Sequence, residues 1–217
     1  MTRPALQVAL DYTVLNPALD AARRLAGHVD IIEAGTLLCF ACGMDAVRAL
    51  RADHPGRTLV ADLKVADAGE TLAELAFDAG ASWMTVICAA PLATMERALE
   101  VAKARGGDIQ IELFGNWTLD DAREWYRLGL RQAIFHRGRD AQAAGQTWGQ
   151  KDLDQLKALS DIGLEMSVTG GISPADLPLF RDISAKVFIA GRALYGAADP
   201  ITAAATFQDA ISAIWGE

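Results

Sequence analysis

The chain has 217 residues, 52% hydrophobic and 22% charged, with 20 Lys and Arg against 28 Asp and Glu for a formal net charge of −8. This is a soluble globular composition, and its scattered basic residues form no stripe that could neutralise a phosphate backbone, so no nucleic-acid partner is expected. The longest uncharged stretch, Ala79 to Met95, is 17 residues long and contains Gly80, Ser82, Thr85 and Pro91, short of the roughly 20 apolar residues of a bilayer span.

The apolar run Ala5 to Leu10 is cut by Asp11, too early for the hydrophobic region of a secretory leader. A cytoplasmic protein without membrane association is therefore expected. Three cysteines are too few for a disulfide framework, which also fits a reducing compartment. Cys39 and Cys42 form one C-x-x-C, but His28, His54 and His136 are not clustered with them. Zinc needs four ligands, so buried thiols are the expected reading of this pair.

Short β-branched apolar runs recur along the chain with little alternation, the pattern of strands buried on both faces. They are Leu6 to Leu10, Val29 to Glu33, Thr58 to Asp62, Trp83 to Ile87, Ile109 to Glu112, Ala133 to His136, Glu165 to Val168 and Lys186 to Ala190. Segments of helical period follow each in turn: Asn16 to Ala26, Gly43 to Ala52, Ala68 to Ala79, Pro91 to Ala104, Thr118 to Leu128, Asp152 to Ser160, Ser173 to Phe180 and Pro200 to Trp215. Thr118 with Asp121, and Ser173 with Asp176, supply N-cap oxygens ahead of acidic first turns. Pro91 and Pro174 suit a first helical turn.

Eight strand–helix units with no linker and no break in composition predict a single α/β domain over residues 1–217, a (β/α)8 TIM barrel. An open doubly wound sheet is the structural alternative. Eight is the closure number, and the chemically unusual residues follow strands around the whole circuit instead of gathering at one switch point.

In such barrels the carboxyl ends of the strands build the site. Ionisable residues stand at or just beyond six of them: Asp11, Glu33, Asp62 with Lys64, Glu112, His136 and Arg192. Singly, each reads as a capping group or an ion pair; convergence on one rim points to a site. Asp62 and Lys64, two apart, share one side of an extended chain, and Asp67 follows at the next helix start. Glu33 and Asp62 on neighbouring strands could hold one Mg²⁺, a hard cation that takes oxygen ligands and keeps open positions; a carboxylate pair matched to Lys64 and arginines is the alternative.

The last two strands end in Val168-Thr169-Gly170-Gly171 and Ala190-Gly191-Arg192. Paired glycine turns there allow close approach of backbone N–H groups to an anion, with Arg192 as a charged clamp, and together they point to a phosphorylated ligand. After strand six, His136 and Arg139 could position an acid or a water.

Together these segments, with Leu6-Gln7-Val8-Ala9-Leu10-Asp11, Asp30-Ile31-Ile32-Glu33, Asp62-Leu63-Lys64-Val65-Ala66-Asp67-Ala68-Gly69, Gln110-Ile111-Glu112-Leu113, His136 to Gly145 and Phe188-Ile189-Ala190-Gly191-Arg192, resemble the orotidine 5'-monophosphate decarboxylase suprafamily. Within it they are similar to the 3-keto-L-gulonate 6-phosphate decarboxylase branch, over essentially the whole chain.

The resemblance implies a Mg²⁺-dependent homodimer that converts a phosphorylated keto sugar acid, 3-keto-L-gulonate 6-phosphate, to L-xylulose 5-phosphate and CO₂ in breakdown of ascorbate or a related sugar acid. By the family pattern Glu33 and Asp62 ligate the metal and Lys64 stabilises an enediolate. Asp67 reaches beside Lys64 in the neighbouring subunit's site. Asp11 and Thr169 belong to the substrate pocket, Asp11 on a hydroxyl, while Gly171, Gly191 and Arg192 hold the phosphate. His136 and Arg139 return a proton through water.

A sister branch, the hexulose 6-phosphate synthases, shares barrel, metal and D-x-K-x-x-D but condenses formaldehyde with ribulose 5-phosphate. Glu112 and Arg139 favour the decarboxylase branch, because the synthases usually carry Asp and a smaller uncharged residue at these places. A non-catalytic sugar-phosphate binding barrel is a third reading; it has no use for a buried carboxylate and lysine cluster that costs desolvation to maintain.

Overall fold

The apolar runs of the sequence become eight strands because each presents buried residues both to the barrel interior and to the helices outside. The structure, a computed structural model, describes residues 3–216. In chain order the strands are β1 (Ala5–Leu10), β2 (Ile31–Ala34), β3 (Thr58–Val65), β4 (Trp83–Ile87), β5 (Asp108–Leu113), β6 (Gln132–His136), β7 (Glu165–Thr169) and β8 (Ala185–Ala190). Each pairs in parallel with the next, and β1 pairs with β8 from Ala5↔Val187 to Val8↔Ala190, which closes the barrel. The closed topology rules out the open sheet.

The main helices are α1 (Leu15–Leu25), α2 (Thr36–Cys42), α3 (Met44–Asp53), α4 (Gly69–Asp78), α5 (Leu92–Ala104), α6 (Leu119–Leu128), α7 (Arg139–Ala143), α8 (Gln150–Ile162), α9 (Arg192–Tyr195) and α10 (Pro200–Trp215). They pack by one apolar stripe, as in α1, where Ala18, Leu19, Ala22 and Leu25 are buried at helical spacing. The main core fills the layer between helices and strands, and a smaller cluster of Ile31, Val60, Ile134, Val187 and Ile189 fills the barrel interior. No helix among the described residues is long and apolar enough to cross a membrane.

Four departures from the sequence reading have local causes. The segment after β2 is two helices where one was expected. Thr36–Cys42 has no polar face and so no readable period, and Gly43, at φ +59°, separates it from α3. The single turns α7 and α9 are too short to show a period. Pro174–Phe180 is 3-10 helical instead of α-helical, with Pro178 inside it, a residue that removes a backbone donor. Asp176 accepts from the Ser173 N–H and hydroxyl, the reciprocal capping box of Thr118 and Asp121 forms before α6, and Pro91 stands just before α5 as its N-cap.

The fourth departure shapes the site. β3 runs three residues beyond the expected end at Asp62, through a register shift against β4 between Ala61 and Val65. Lys64 sits there at φ +46°, in the left-handed region. Its N–H donates to Thr85 Oγ1 at 2.8 Å.

Candidate active site

The carboxyl ends of the strands enclose a cavity of about 970 Å³. Every residue singled out from the sequence except Asp67 lines it: Asp11 after β1, Glu33 on β2, Asp62 and Lys64 on β3, Glu112 on β5, His136 at the end of β6, Arg139 at the start of α7, Thr169 closing β7, Gly171, Gly191 and Arg192. Asp67 is exposed in the turn before α4, outside this chain's own cavity.

At the floor, Lys64 Nζ lies 2.6 Å from Asp62 Oδ2 and 2.9 Å from Glu112 Oε2. The two side chains do meet on one side, through the bulge and left-handed Lys64 and not through regular strand alternation. Thr36, at the start of α2, donates from its hydroxyl (2.5 Å) and its N–H (3.2 Å) to Asp62 Oδ2, and accepts from Lys64 Nζ at 2.8 Å. Thr85 on β4 donates to Asp62 Oδ1 at 2.8 Å. Glu33 accepts from Gln7 Nε2. Glu112 Oε1 is 2.5 Å from His136 Nδ1, which leaves Nε2 as the ring nitrogen not engaged with Glu112. Phe114 lies beside these groups, its ring 4.7 Å from that of His136 and 5.7 Å from Lys64 Nζ.

The charges do not balance. Glu33, Asp62 and Glu112 are buried, at 6%, 6% and 2% exposure, and among the described residues Lys64 is the one lysine or arginine that pairs with them. Burial opposes the Lys64 charge, but Asp62 and Glu112 more than offset it, so the ammonium holds its proton well above the ordinary lysine range. Asp62 is held below the usual carboxylate range: burial opposes its ionisation, and the Lys64 charge with the bonds from Lys64, Thr36 and Thr85 outweighs it. Glu33 is pushed well up by burial and then by the Asp62 charge, and Glu112 is raised for the same two reasons. An excess of buried carboxylate with all-oxygen donors, open to a cavity, suits a hard divalent cation. Among the described residues no third His, Cys, Asp or Glu joins to complete a cage, so further ligands would be water or substrate.

On the opposite rim Gly170 and Gly171 both adopt positive φ, +112° and +63°. Thr169 Oγ1 donates to Ile189 O at 3.1 Å and ties the two glycine turns together. Arg192, exposed, makes no ion pair among the described residues. Arg139 Nη2 is 3.8 Å from Asp11 Oδ2. Asp11 is raised by burial, then by Asp62, against the pull of Arg139. It fits because residue 35 is glycine: a Cβ there would stand 2.4 Å from Asp11 Oδ1.

Thr36, Thr85, Gln7, Phe114 and Arg137 escape the sequence reading. Gln7 and Thr85 carry a signal nonetheless, as polar residues inside apolar strand runs; Thr36, at the start of α2, and Phe114 and Arg137, just after strands, carry none. Of the C-x-x-C pair, Cys39 is the buried thiol expected while Cys42 is only partly buried; Cys39 and Cys88 are buried free thiols whose Sγ atoms donate to Ala34 O (3.3 Å) and Phe114 O (3.1 Å).

The chain is 64% identical over 216 residues to 3-keto-L-gulonate-6-phosphate decarboxylase SgbH of Escherichia coli K12, covering 100% of this chain and 98% of that one. It superposes on a ligand-bound crystal structure of KGPDC from Streptococcus mutans at a TM-score of 0.97 and 45% identity, over 99% of this chain and 100% of that one. A crystal structure of a 3-hexulose-6-phosphate synthase is more distant, with TM-score 0.85 and 37% identity over 95% and 99% of the two chains. The orotidine 5'-phosphate decarboxylase / HUMPS pattern matches residues 4–207, and the chain belongs to that family.

Proposed function

We propose that this protein is a 3-keto-L-gulonate 6-phosphate decarboxylase, a metal-dependent carboxy-lyase that yields L-xylulose 5-phosphate and CO₂. The observation that carries the reading is the cluster of buried Glu33, Asp62 and Glu112 around the half-buried Lys64, set across one cavity from the paired glycine turns. The higher identity to the decarboxylase relatives favours it over the synthase.

The substrate is a β-keto acid. Its phosphate is held by the Gly171 and Gly191 turns and Arg192, and Asp11 accepts a hydrogen bond from a hydroxyl. When the C1–C2 bond breaks, CO₂ leaves and the electron pair passes into a C2–C3 enediolate, whose negative oxygen is the charge to be stabilised. Lys64, kept protonated and aimed by Asp62, Glu112 and Thr36, places an ammonium beside that oxygen. Glu33 and Asp62 would hold Mg²⁺, which when bound supplies further positive charge there. His136, oriented by Glu112 through Nδ1, and Arg139 hold the water that returns a proton to C2, and L-xylulose 5-phosphate results.

A homodimer completes the reading, with Asp67 brought beside the partner's Lys64. Phe40, 81% exposed on the apolar helix α2, is the kind of surface that a second subunit covers. The enzyme would work in the cytoplasm, in breakdown of ascorbate or a related sugar acid.

The test is CO₂ release from 3-keto-L-gulonate 6-phosphate with Mg²⁺ and after EDTA, with formaldehyde plus ribulose 5-phosphate run in parallel. Metal-dependent CO₂ release supports the proposal. Formaldehyde consumption alone moves the protein to the synthase branch, and silence in both assays contradicts catalysis on either substrate.

A further inference from the structure

Arg137, the first residue after β6, has no part in the chemistry above, yet its side chain fastens the glycine turn after β7. Its Nε donates to Gly170 O at 3.0 Å and its Nη2 to Gly171 O at 3.3 Å. The guanidinium lies over Trp148, 4.9 Å from the ring centroid. Its backbone is committed as well: the N–H donates to Thr169 O at 3.1 Å, and the carbonyl accepts from Gln142 Nε2 at 2.8 Å.

Close approach of the Arg137 backbone requires a glycine at residue 170. A Cβ on residue 170 would stand 2.2 Å from the Arg137 carbonyl oxygen, and one on residue 171 would stand 2.2 Å from Gln142 Oε1. The C=O and N–H of one peptide point in opposite directions. Drawing the Gly170 carbonyl toward Arg137 therefore aims the Gly171 N–H away from it, and drawing the Gly171 carbonyl does the same for the Ile172 N–H. Both residues line the cavity, and neither N–H donates to a protein acceptor among the described residues.

We propose that Arg137 is a positioning residue for phosphate recognition: its guanidinium holds the Gly170 and Gly171 carbonyls back, so that the N–H groups of Gly171 and Ile172 are presented to the phosphate. Successive N–H groups aimed into one concavity bind anions, and the Arg137 guanidinium, at the edge of the same cavity, adds positive potential there. The inference rests on the phosphate-site reading above.

The test is calorimetric titration of the full chain with inorganic phosphate and steady-state kinetics on 3-keto-L-gulonate 6-phosphate, for wild type, Arg137→Met and Arg137→Lys. Met keeps the apolar stem on Trp148 and removes the donors. It is expected to weaken phosphate binding and raise KM by roughly 10- to 100-fold, the scale of two lost charge-assisted hydrogen bonds, with the loss falling on KM and not on kcat. Lys restores the charge and a single donor, and is expected to fall between Met and wild type.

Wild-type phosphate affinity in Arg137→Met overturns the proposal. So does a loss that appears in kcat with KM unchanged, or, if Met fails to fold, Arg137→Lys with unaltered KM. Wild-type protein that turns over substrate without measurable phosphate binding overturns the phosphate-site reading beneath it, which separates the two failures.

Discussion

Thr85→Val tests whether the floor of the cavity is held as the structure indicates. The change keeps the shape of a fully buried side chain, 1% exposed, and removes one hydroxyl. That hydroxyl accepts the Lys64 N–H at 2.8 Å and donates to Asp62 Oδ1 at 2.8 Å. Asp62 Oδ1 keeps Lys64 Nζ at 2.8 Å, so the larger loss is the backbone donor of Lys64. An orphaned buried N–H costs roughly 1–3 kcal/mol, and a bond to a carboxylate contributes about 1 more. Lys64 holds a left-handed φ of +46°, which strains a non-glycine residue by about 1–2 kcal/mol, so part of the loss is recovered if the bulge relaxes. The net destabilisation is about 2–3 kcal/mol, a fall in Tm of roughly 4–12 °C for a chain of this size. Relaxation of the bulge also moves the ammonium, so kcat falls with stability. Thr85→Ser, which keeps the hydroxyl, should restore most of both. The assays are thermal unfolding and CO₂ release, and a Thr85→Val protein with wild-type Tm and kcat would refute the reasoning.

Lys64→Met should lower kcat by roughly 10²- to 10³-fold, the scale of one preorganised stabilising group; full activity would remove Lys64 from the mechanism. Arg139→Val should slow decarboxylation by roughly 10²-fold through proton return, and unchanged turnover would exclude that role. The metal-free protein should lose stability as pH rises through the range above the ordinary glutamate value. Glu33 and Glu112 are raised by burial and by Asp62, so the folded state there binds more protons than the unfolded chain. Asp62, held below its usual range, works the other way: its contribution is present above the ordinary aspartate value and is lost as pH falls through its own. A denaturation midpoint followed across pH, with and without Mg²⁺, checks this; one that stays flat without metal contradicts it. Native protein should react with a thiol reagent at Cys42 first, because Cys39 is buried and pushed up to about 12 by burial and the nearby Asp62 and Glu33 charges; rapid labelling of Cys39 would contradict the packing of α2 on β3.

The barrel was legible because burial on both faces leaves an unmistakable mark on a strand, and eight such marks at near-even spacing admit few topologies. The elements that were not legible lack that mark. Helix α2 is apolar all round, and α7 and α9 are single turns. The charged residues of the site were visible at strand ends, but not the groups that set their geometry. Thr36 and Thr85 meet Asp62 and Lys64 only once β3 bulges at Lys64, and a left-handed lysine has no sequence signature. Gln7 and Gln110, both fully buried, stand out in hindsight as polar residues in strands that otherwise read as apolar. Asp67 marks a different boundary, since its expected place beside Lys64 belongs to a second chain.

The central claim, that decarboxylation leaves an enediolate which the protein protonates, is tested most directly by running 3-keto-L-gulonate 6-phosphate with Mg²⁺ in D₂O and examining the product by NMR. The account requires L-xylulose 5-phosphate with solvent deuterium on C1, the carbon that lost CO₂. CO₂ release without deuterium at that carbon would contradict it.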